Sequence, residues 1–141
     1  MSFVLDNSVT MRWCFKDGAP ASLAYANRVL DSLKKQYALV PSLWHLELVN
    51  VLITNQKEGV LAAAESAAFI NRLDGLPIKT DATAISSVRP SIMDLSRRFG
   101  LTAYDSAYLE LAMREGVGLA TLDSELRKAT RKAGAKLHLI E

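Results

Sequence analysis

Cysteine occurs once in the 141 residues, at Cys14, so no disulfide can form within the chain. A lone thiol excludes a disulfide-stapled secreted module and points to a reducing compartment, the cytoplasm. Histidine is nearly as scarce. His45 and His138 stand far apart without ligand-type spacing, which leaves no cysteine–histidine cluster for zinc. Four prolines and seven glycines are too few for a low-complexity or collagen-like chain. No uncharged apolar run approaches the ~20 residues that a membrane helix needs. The opening residues Met1 to Leu5 carry no basic side chain and their apolar run stops at Asp6, so they do not read as a signal peptide. Neither sign of charge dominates: 17 Lys and Arg face 15 Asp and Glu, a net +2.

What remains is a half-hydrophobic chain of a length that fits one globular domain, residues 1–141, with a full core. Short apolar runs alternate with longer helical patterns. Phe3-Val4-Leu5 reads as a buried strand ending at Asp6. A helix begins at Pro20 and runs to about Gln36, and Ala38-Leu39-Val40 forms a second strand stopped by Pro41. Ser42 can cap a long helix to Lys57 or Glu58, with Gly59 as terminator. A further helix spans about Leu61 to Leu73, and Leu76 to Thr80 is a weaker strand. Ala84 to Phe99 is helical in period, but Pro90 predicts a kink or two shorter helices. Thr102 opens a helix to about Glu115. Gly118 to Thr121 is a strand, Ser124 to Lys132 a helix, and Lys136 to Ile140 a last strand. This alternation predicts an α/β fold with a mostly parallel sheet of four or five strands, covered by helices on both faces.

In such sheets ligands bind beyond the carboxyl ends of the strands. Asp6 and Asp123 each follow a strand there, although either can equally cap the helix that follows. Asp105 stands third in Thr102-Ala103-Tyr104-Asp105, a capping-box pattern that by itself reads as a cap. Glu47 lies in Leu43-Trp44-His45-Leu46-Glu47-Leu48-Val49-Asn50-Val51-Leu52-Ile53, where apolar neighbours predict a largely buried helix. A charge there is costly unless it is paired with a base or bound to a metal. Asn50 and Thr54 continue a polar stripe one and two turns on. Four carboxylates brought together would repel one another, and a divalent cation removes that penalty. All-oxygen donors favour Mg²⁺ or Mn²⁺.

The order and context of these acids resemble the PIN-domain nucleases, in particular the VapC toxins of toxin–antitoxin pairs. The matching pieces are Val4-Leu5-Asp6-Asn7-Ser8, Glu47-Leu48-Val49-Asn50-Val51-Leu52, Gly100-Leu101-Thr102-Ala103-Tyr104-Asp105-Ser106-Ala107-Tyr108-Leu109 and Leu119-Ala120-Thr121-Leu122-Asp123. The resemblance runs along essentially the whole chain, and the third piece is the most specific. It implies a three-layer α/β/α sandwich. It also implies that Asp6, Glu47, Asp105 and Asp123 form an acidic Mg²⁺- or Mn²⁺-binding catalytic set, with Ser8 and Thr121 as nearby hydroxyls and Asn50 as a further candidate. The implied activity is metal-dependent hydrolysis of phosphodiester bonds in cellular RNA, whether tRNA, rRNA or mRNA, leaving a 5′-phosphate. The implied partners are a second copy of the chain and a cognate VapB-type antitoxin, with no membrane.

An acidic pocket needs a basic rim if it is to meet a phosphate chain. Arg12, Lys16, Arg97, Arg98 and the cluster Arg127, Lys128, Arg131, Lys132 and Lys136 are candidates, and the cluster also reads as a solvated helix face. Trp13, Phe15 and Tyr104 are candidates for stacking on bases, with core packing the alternative for the first two. Two other readings compete. The acids of a non-catalytic RNA- or protein-binding module would serve as caps and ion pairs. A magnesium-using phosphotransferase would need a second acid two residues after Asp6, where Ser8 stands.

Overall fold

A computed structural model describes residues 1–141. The elements run β1 (Ser2–Leu5), α1 (Asn7–Cys14), α2 (Pro20–Ser32), β2 (Tyr37–Val40), α3 (Leu43–Lys57), α4 (Ala63–Asp74), β3 (Ile78–Thr80), α5 (Ile85–Phe99), α6 (Ala103–Glu115), β4 (Gly118–Ala120) and α7 (Ser124–Lys132). Four strands pair in the order β3-β2-β1-β4, and every pairing is parallel. The chain moves outward from β1 through β2 to β3, then crosses back to place β4 on the other side of β1. Right-handed crossovers in opposite directions put their helices on opposite faces. The result is the PIN-like α/β/α sandwich expected from the resemblance, with four strands.

Phe3, Val4 and Leu5 are fully buried, as a central parallel strand covered on both faces requires. Leu119 and Ala120 continue this layer, and Tyr108, Leu109 and Leu111 of α6 close over it. Because the chain reverses direction at β1, a crevice opens between the carboxyl ends of β1 and β4, which is where ligands bind in open α/β sheets. Asp6 follows β1 there, and its N–H donates to the Ala120 carbonyl at 3.0 Å.

Several elements depart from expectation. Residues Asn7–Cys14 form a helix that the apolar pattern did not announce. Ser42 occupies the cap position of α3 without a side-chain capping bond. Pro90 sits inside one continuous helix. It lies in the second turn on an exposed stretch, so the carbonyl that loses its partner meets water. The segment after Lys136 makes only an isolated parallel bridge, Leu137 to Leu119. Leu139 adopts a positive φ of 60°, which breaks an extended strand.

The largest correction concerns the burial of α3, expected to be largely buried. Only one stripe of α3, Trp44, Leu48 and Leu52, is buried, while Leu46, Val49 and Ile53 face solvent at 76%, 48% and 42% exposure. The engulfed helix is α6, where every residue from Ser106 to Ala112 is buried. An all-apolar helix surface has two readings, core or uncovered face, and the tertiary packing selects the second for α3.

Candidate functional site

Asp6 is buried and takes the cap position of α1, yet its carboxylate makes no capping bond. Its Oδ2 instead accepts hydrogen bonds from Ser8 Oγ at 2.6 Å and Thr121 Oγ1 at 2.7 Å. Each hydroxyl is itself oriented by an amide of the loop after β4. Leu122 N–H donates to Ser8 Oγ at 2.9 Å, and Asp123 N–H donates to Thr121 Oγ1 at 3.1 Å. Because a donating amide occupies the oxygen of each hydroxyl and leaves its proton for Asp6, the loop and the carboxylate form one unit. The Leu122 side chain plays no part in this. Burial raises the Asp6 pKa, the two hydroxyls oppose that shift, and the charges of Glu47 and Asp123 add to it.

Asp123 caps α7, its Oδ1 accepting from Leu126 N–H at 2.8 Å. The capping reading of this acid is therefore correct for one of its oxygens. Asp105 resolves differently. Thr102 Oγ1 accepts the Asp105 N–H at 3.1 Å, but the Asp105 carboxylate does not return to the Thr102 amide, so the capping box is half made. The half-buried carboxyl is pushed up to about 6 by burial and then by the charges of Asp6, Asp123 and Glu47. Glu47, also half-buried, accepts a 2.6 Å hydrogen bond from Tyr108 Oη.

The structure thus gathers Asp6, Glu47, Asp105 and Asp123 within electrostatic reach of one another, with Ser8 and Thr121 between Asp6 and the loop. Asn50 and Thr54 stay outside: both are exposed on α3 and bond none of these residues. No lysine, arginine or histidine forms an ion pair with any of the four acids. Arg127, the basic side chain attached to this loop, donates its Nε–H to the Thr121 carbonyl at 2.7 Å and stacks over Tyr25. The cluster is therefore a repulsive one, left without an internal counter-charge.

Such a donor set, all hard oxygen and unneutralised, suits a divalent cation. Beside it, the buried Oδ1 of Asn7 has no hydrogen-bond partner while its Nδ2 donates to the Trp44 carbonyl at 2.9 Å. An unpartnered buried carbonyl next to Asp6 fits a site that takes up a further ligand or ordered water. The acids do not form a closed cage, however: no three His, Cys, Asp or Glu side chains converge as a group that could hold a metal ion directly. Magnesium tolerates this, because it commonly binds through one or two carboxylates and keeps several of its waters.

Three residues escaped the sequence reading. Tyr108 lies three residues after Asp105, hence on the same face of α6, and that spacing was the available signal. Asn7 adjoins Asp6 within the first motif but carried no charge to draw notice. Arg127 was read only as one of a basic cluster, although its role here is to hold the Thr121 carbonyl. Among the stacking candidates, Trp13 is a core residue whose Nε1–H donates to the Ala26 carbonyl, whereas Tyr104 is 64% exposed. His45 is exposed and bonds Thr80, and His138 is buried against Phe3.

Several solved structures are similar to this chain, two of them as follows. PAE2754 from Pyrobaculum aerophilum matches with a TM-score of 0.66 and 21% identity, over 96% of this chain and 83% of that one. FitAcB from Neisseria gonorrhoeae matches with a TM-score of 0.56 and 17% identity, over 97% of this chain and 96% of that one. Identities this low report a shared fold and nothing finer. No family model and no curated protein matches the sequence.

Proposed function

We propose that this chain is a metal-dependent endoribonuclease of the VapC toxin type, hydrolysing phosphodiester bonds in cellular RNA. The observation that carries the reading is the state of Asp105. Its carboxyl is held near 6 by burial and by three other carboxylates drawn from separate elements, with no basic side chain to relieve them. Structural carboxylates are ordinarily paired or hydrogen-bonded, and strong unrelieved perturbation in a crevice marks a functional site.

Asp6 and Asp105 are the residues that would hold the principal Mg²⁺ or Mn²⁺, with Glu47 and Asp123 completing its surroundings through water. The cation, when bound, supplies charge relief at phosphorus and lowers the pKa of water. The chain's own contribution is orientation. Ser8 and Thr121 fix one oxygen of Asp6 and leave the other for a ligand. Tyr108 fixes Glu47, and the Leu126 amide fixes Asp123. An acid of this set with a pKa raised toward neutrality is suited to accept a proton from an attacking water.

The family resemblance adds a homodimer and a small antitoxin that covers the acids, and the lone cysteine fits a cytoplasmic setting. The test is direct. Purified protein is incubated with structured RNA in Mg²⁺, in Mn²⁺ and in EDTA, and the ends are mapped. Cleavage that leaves 5′-phosphates and stops in EDTA supports the reading, and cleavage indifferent to EDTA removes it. Two observations favour a second reading, a non-catalytic RNA- or protein-binding module: Asp123 does cap α7, and no three acids form a ready metal group. That reading expects RNA or protein binding with no cleavage under any metal.

A further inference from the structure

The sequence offered basic side chains scattered over three regions as a possible rim, and the fold sorts them. Arg12 is committed to Asp17 at 2.6 Å. Arg127 is committed to the Thr121 carbonyl and the Tyr25 ring. Others converge elsewhere. The last turn of α5 and the outer face of α7 form a groove lined by Arg98, Phe99, Glu125, Lys128, Ala129 and Lys132. Its side walls carry three cations against one carboxylate.

The pairings within it are loose. Lys128 reaches Glu125 only at 3.5 Å with both side chains largely exposed, Arg98 reaches Asp94 at 3.3 Å, and Lys132 makes no ion pair. Exposed pairs of this kind contribute little and exchange readily for a better anion. Lys128 and Lys132 are four residues apart, so they project from one face of α7, about 6 Å apart along its axis. Phe99 packs partly against the core and keeps part of its ring at the surface, with the Arg98 guanidinium 5.1 Å from its ring centre. A cation on an aromatic surface offers a base a stacking partner as well as a phosphate contact.

Connection to the acids is through the backbone itself. Phe99 is joined to Asp105 through only the turn at Gly100 and the Thr102 cap. Asp123 caps the same helix that carries Lys128, five residues or about 7.5 Å further along its axis. Both walls of the groove are thus continuous with elements that hold site acids.

We infer that the groove between the end of α5 and α7 is a track for a single-stranded RNA backbone, guiding it toward the acidic crevice. This rests on the nuclease reading for the class of substrate. Lys128 and Lys132 meet phosphates, and Arg98 with Phe99 supports one base.

The experiment measures binding of a fluorescein-labelled 16-nucleotide oligouridylate in EDTA, across a range of NaCl, by anisotropy. The double variant Lys128→Glu/Lys132→Glu is compared with Lys34→Glu/Lys35→Glu, an equal charge change at the amino ends of the strands. Circular dichroism confirms that both fold. The groove variant should bind at least tenfold more weakly at 100 mM salt, with a salt slope shallower by about 1 to 1.5, as the loss of two phosphate contacts on a single strand requires. The control variant should bind like the wild type. Equal losses in the two variants, no salt-dependent binding by the wild-type protein, or equally effective competition by polyaspartate would overturn the groove as an RNA track. Groove-dependent binding without cleavage in Mg²⁺ or Mn²⁺ would remove the nuclease and keep the track. EDTA-sensitive cleavage unaffected by the groove variant at any salt would remove the track and keep the nuclease.

Discussion

Tyr108 and Glu47 lie on different helices, sixty-one residues apart, and meet in a 2.6 Å hydrogen bond from the phenol to Oε1. The phenol is completely buried, and its pKa is raised by that burial and by the charges of Asp6 and Glu47. It therefore stays protonated and always donates. A buried helix, α6, in this way fixes an acid on a neighbouring helix whose outer face is open to solvent.

Tyr108→Phe keeps the ring and removes the donor. Stability should fall by about 1 kcal/mol, the net worth of one such bond. If Glu47 serves the metal, cleavage should fall roughly 10- to 100-fold, as for outer-shell partners of metal ligands. Urea denaturation and cleavage rate against Mn²⁺ concentration separate the two effects. Unchanged cleavage at every metal concentration would take Glu47, or its orientation, out of the site.

Asp6→Asn retains an oxygen for Ser8 and Thr121 while removing a charge whose pKa is raised mainly by burial. Its urea midpoint at pH 7 should match or exceed the wild type, and cleavage and growth arrest should disappear. Persistent toxicity in a folded Asp6→Asn protein would exclude catalysis by this crevice.

Thr121→Ala removes the donor to Asp6 and leaves the Asp123 amide without its acceptor. The expected loss is about 1–3 kcal/mol, the range for losing a hydrogen bond to a buried carboxylate. Asn50→Ala, on the exposed side of α3, should change neither stability nor cleavage.

Two groups give stability opposite dependences on pH. His138 is buried, stacked on Phe3 with ring centres 3.9 Å apart, and burial pushes its pKa down to about 4. Between pH 6.5 and 4 the unfolded chain binds the additional proton, so stability falls as pH falls, by about 3 kcal/mol at most. Asp105 is raised to about 6, so between pH 4 and 6 the folded chain binds the proton and stability falls as pH rises. Since Asp105 is half-exposed, screening reduces its effect to the order of 1 kcal/mol. His138→Phe should flatten the acid limb of a melting-temperature profile, and Asp105→Asn should steepen it. A melting profile in which neither substitution alters the slope would refute these assignments.

Metal binding is linked to the same acids. Millimolar Mg²⁺ or Mn²⁺ should raise the wild-type melting temperature at pH 7 and leave Asp105→Asn nearly unmoved, because a ligand of the native state stabilises by mass action. Calorimetric scans with Ca²⁺ and Na⁺ at matched ionic strength separate binding from screening. An equal rise in both proteins would mean that Asp105 does not serve the ion.

Local rules made much of this molecule readable. The strands around Val4, Leu39 and Leu119 are short apolar runs bounded by turn residues, and the parallel α/β class follows from their alternation with helices. Thr102 and Asp123 fulfil the caps that their spacing announces. Glu47 was visible because a carboxylate on an apolar helix is locally anomalous, whereas Asp6, Asp105 and Asp123 each also read as caps and joined it as a set through the resemblance of their motifs. Burial was less legible. The apolar surface of α3 looked like a core helix, but the packing leaves Leu46, Val49 and Ile53 exposed and engulfs α6 instead.

By itself the sequence determined which segments become strands and helices and which acids fall at the carboxyl ends of β1 and β4, because these depend on neighbours a few residues apart. The tertiary structure decided what those acids touch. Only once β4 crosses back beside β1 can Thr121 join the local donor Ser8 in holding Asp6, and only then does burial among other carboxylates push Asp105 toward neutrality. Those contacts depend on distances and dielectric that arise between residues on separate elements of the fold, 115 positions apart for Thr121 and Asp6, and no local pattern carries them.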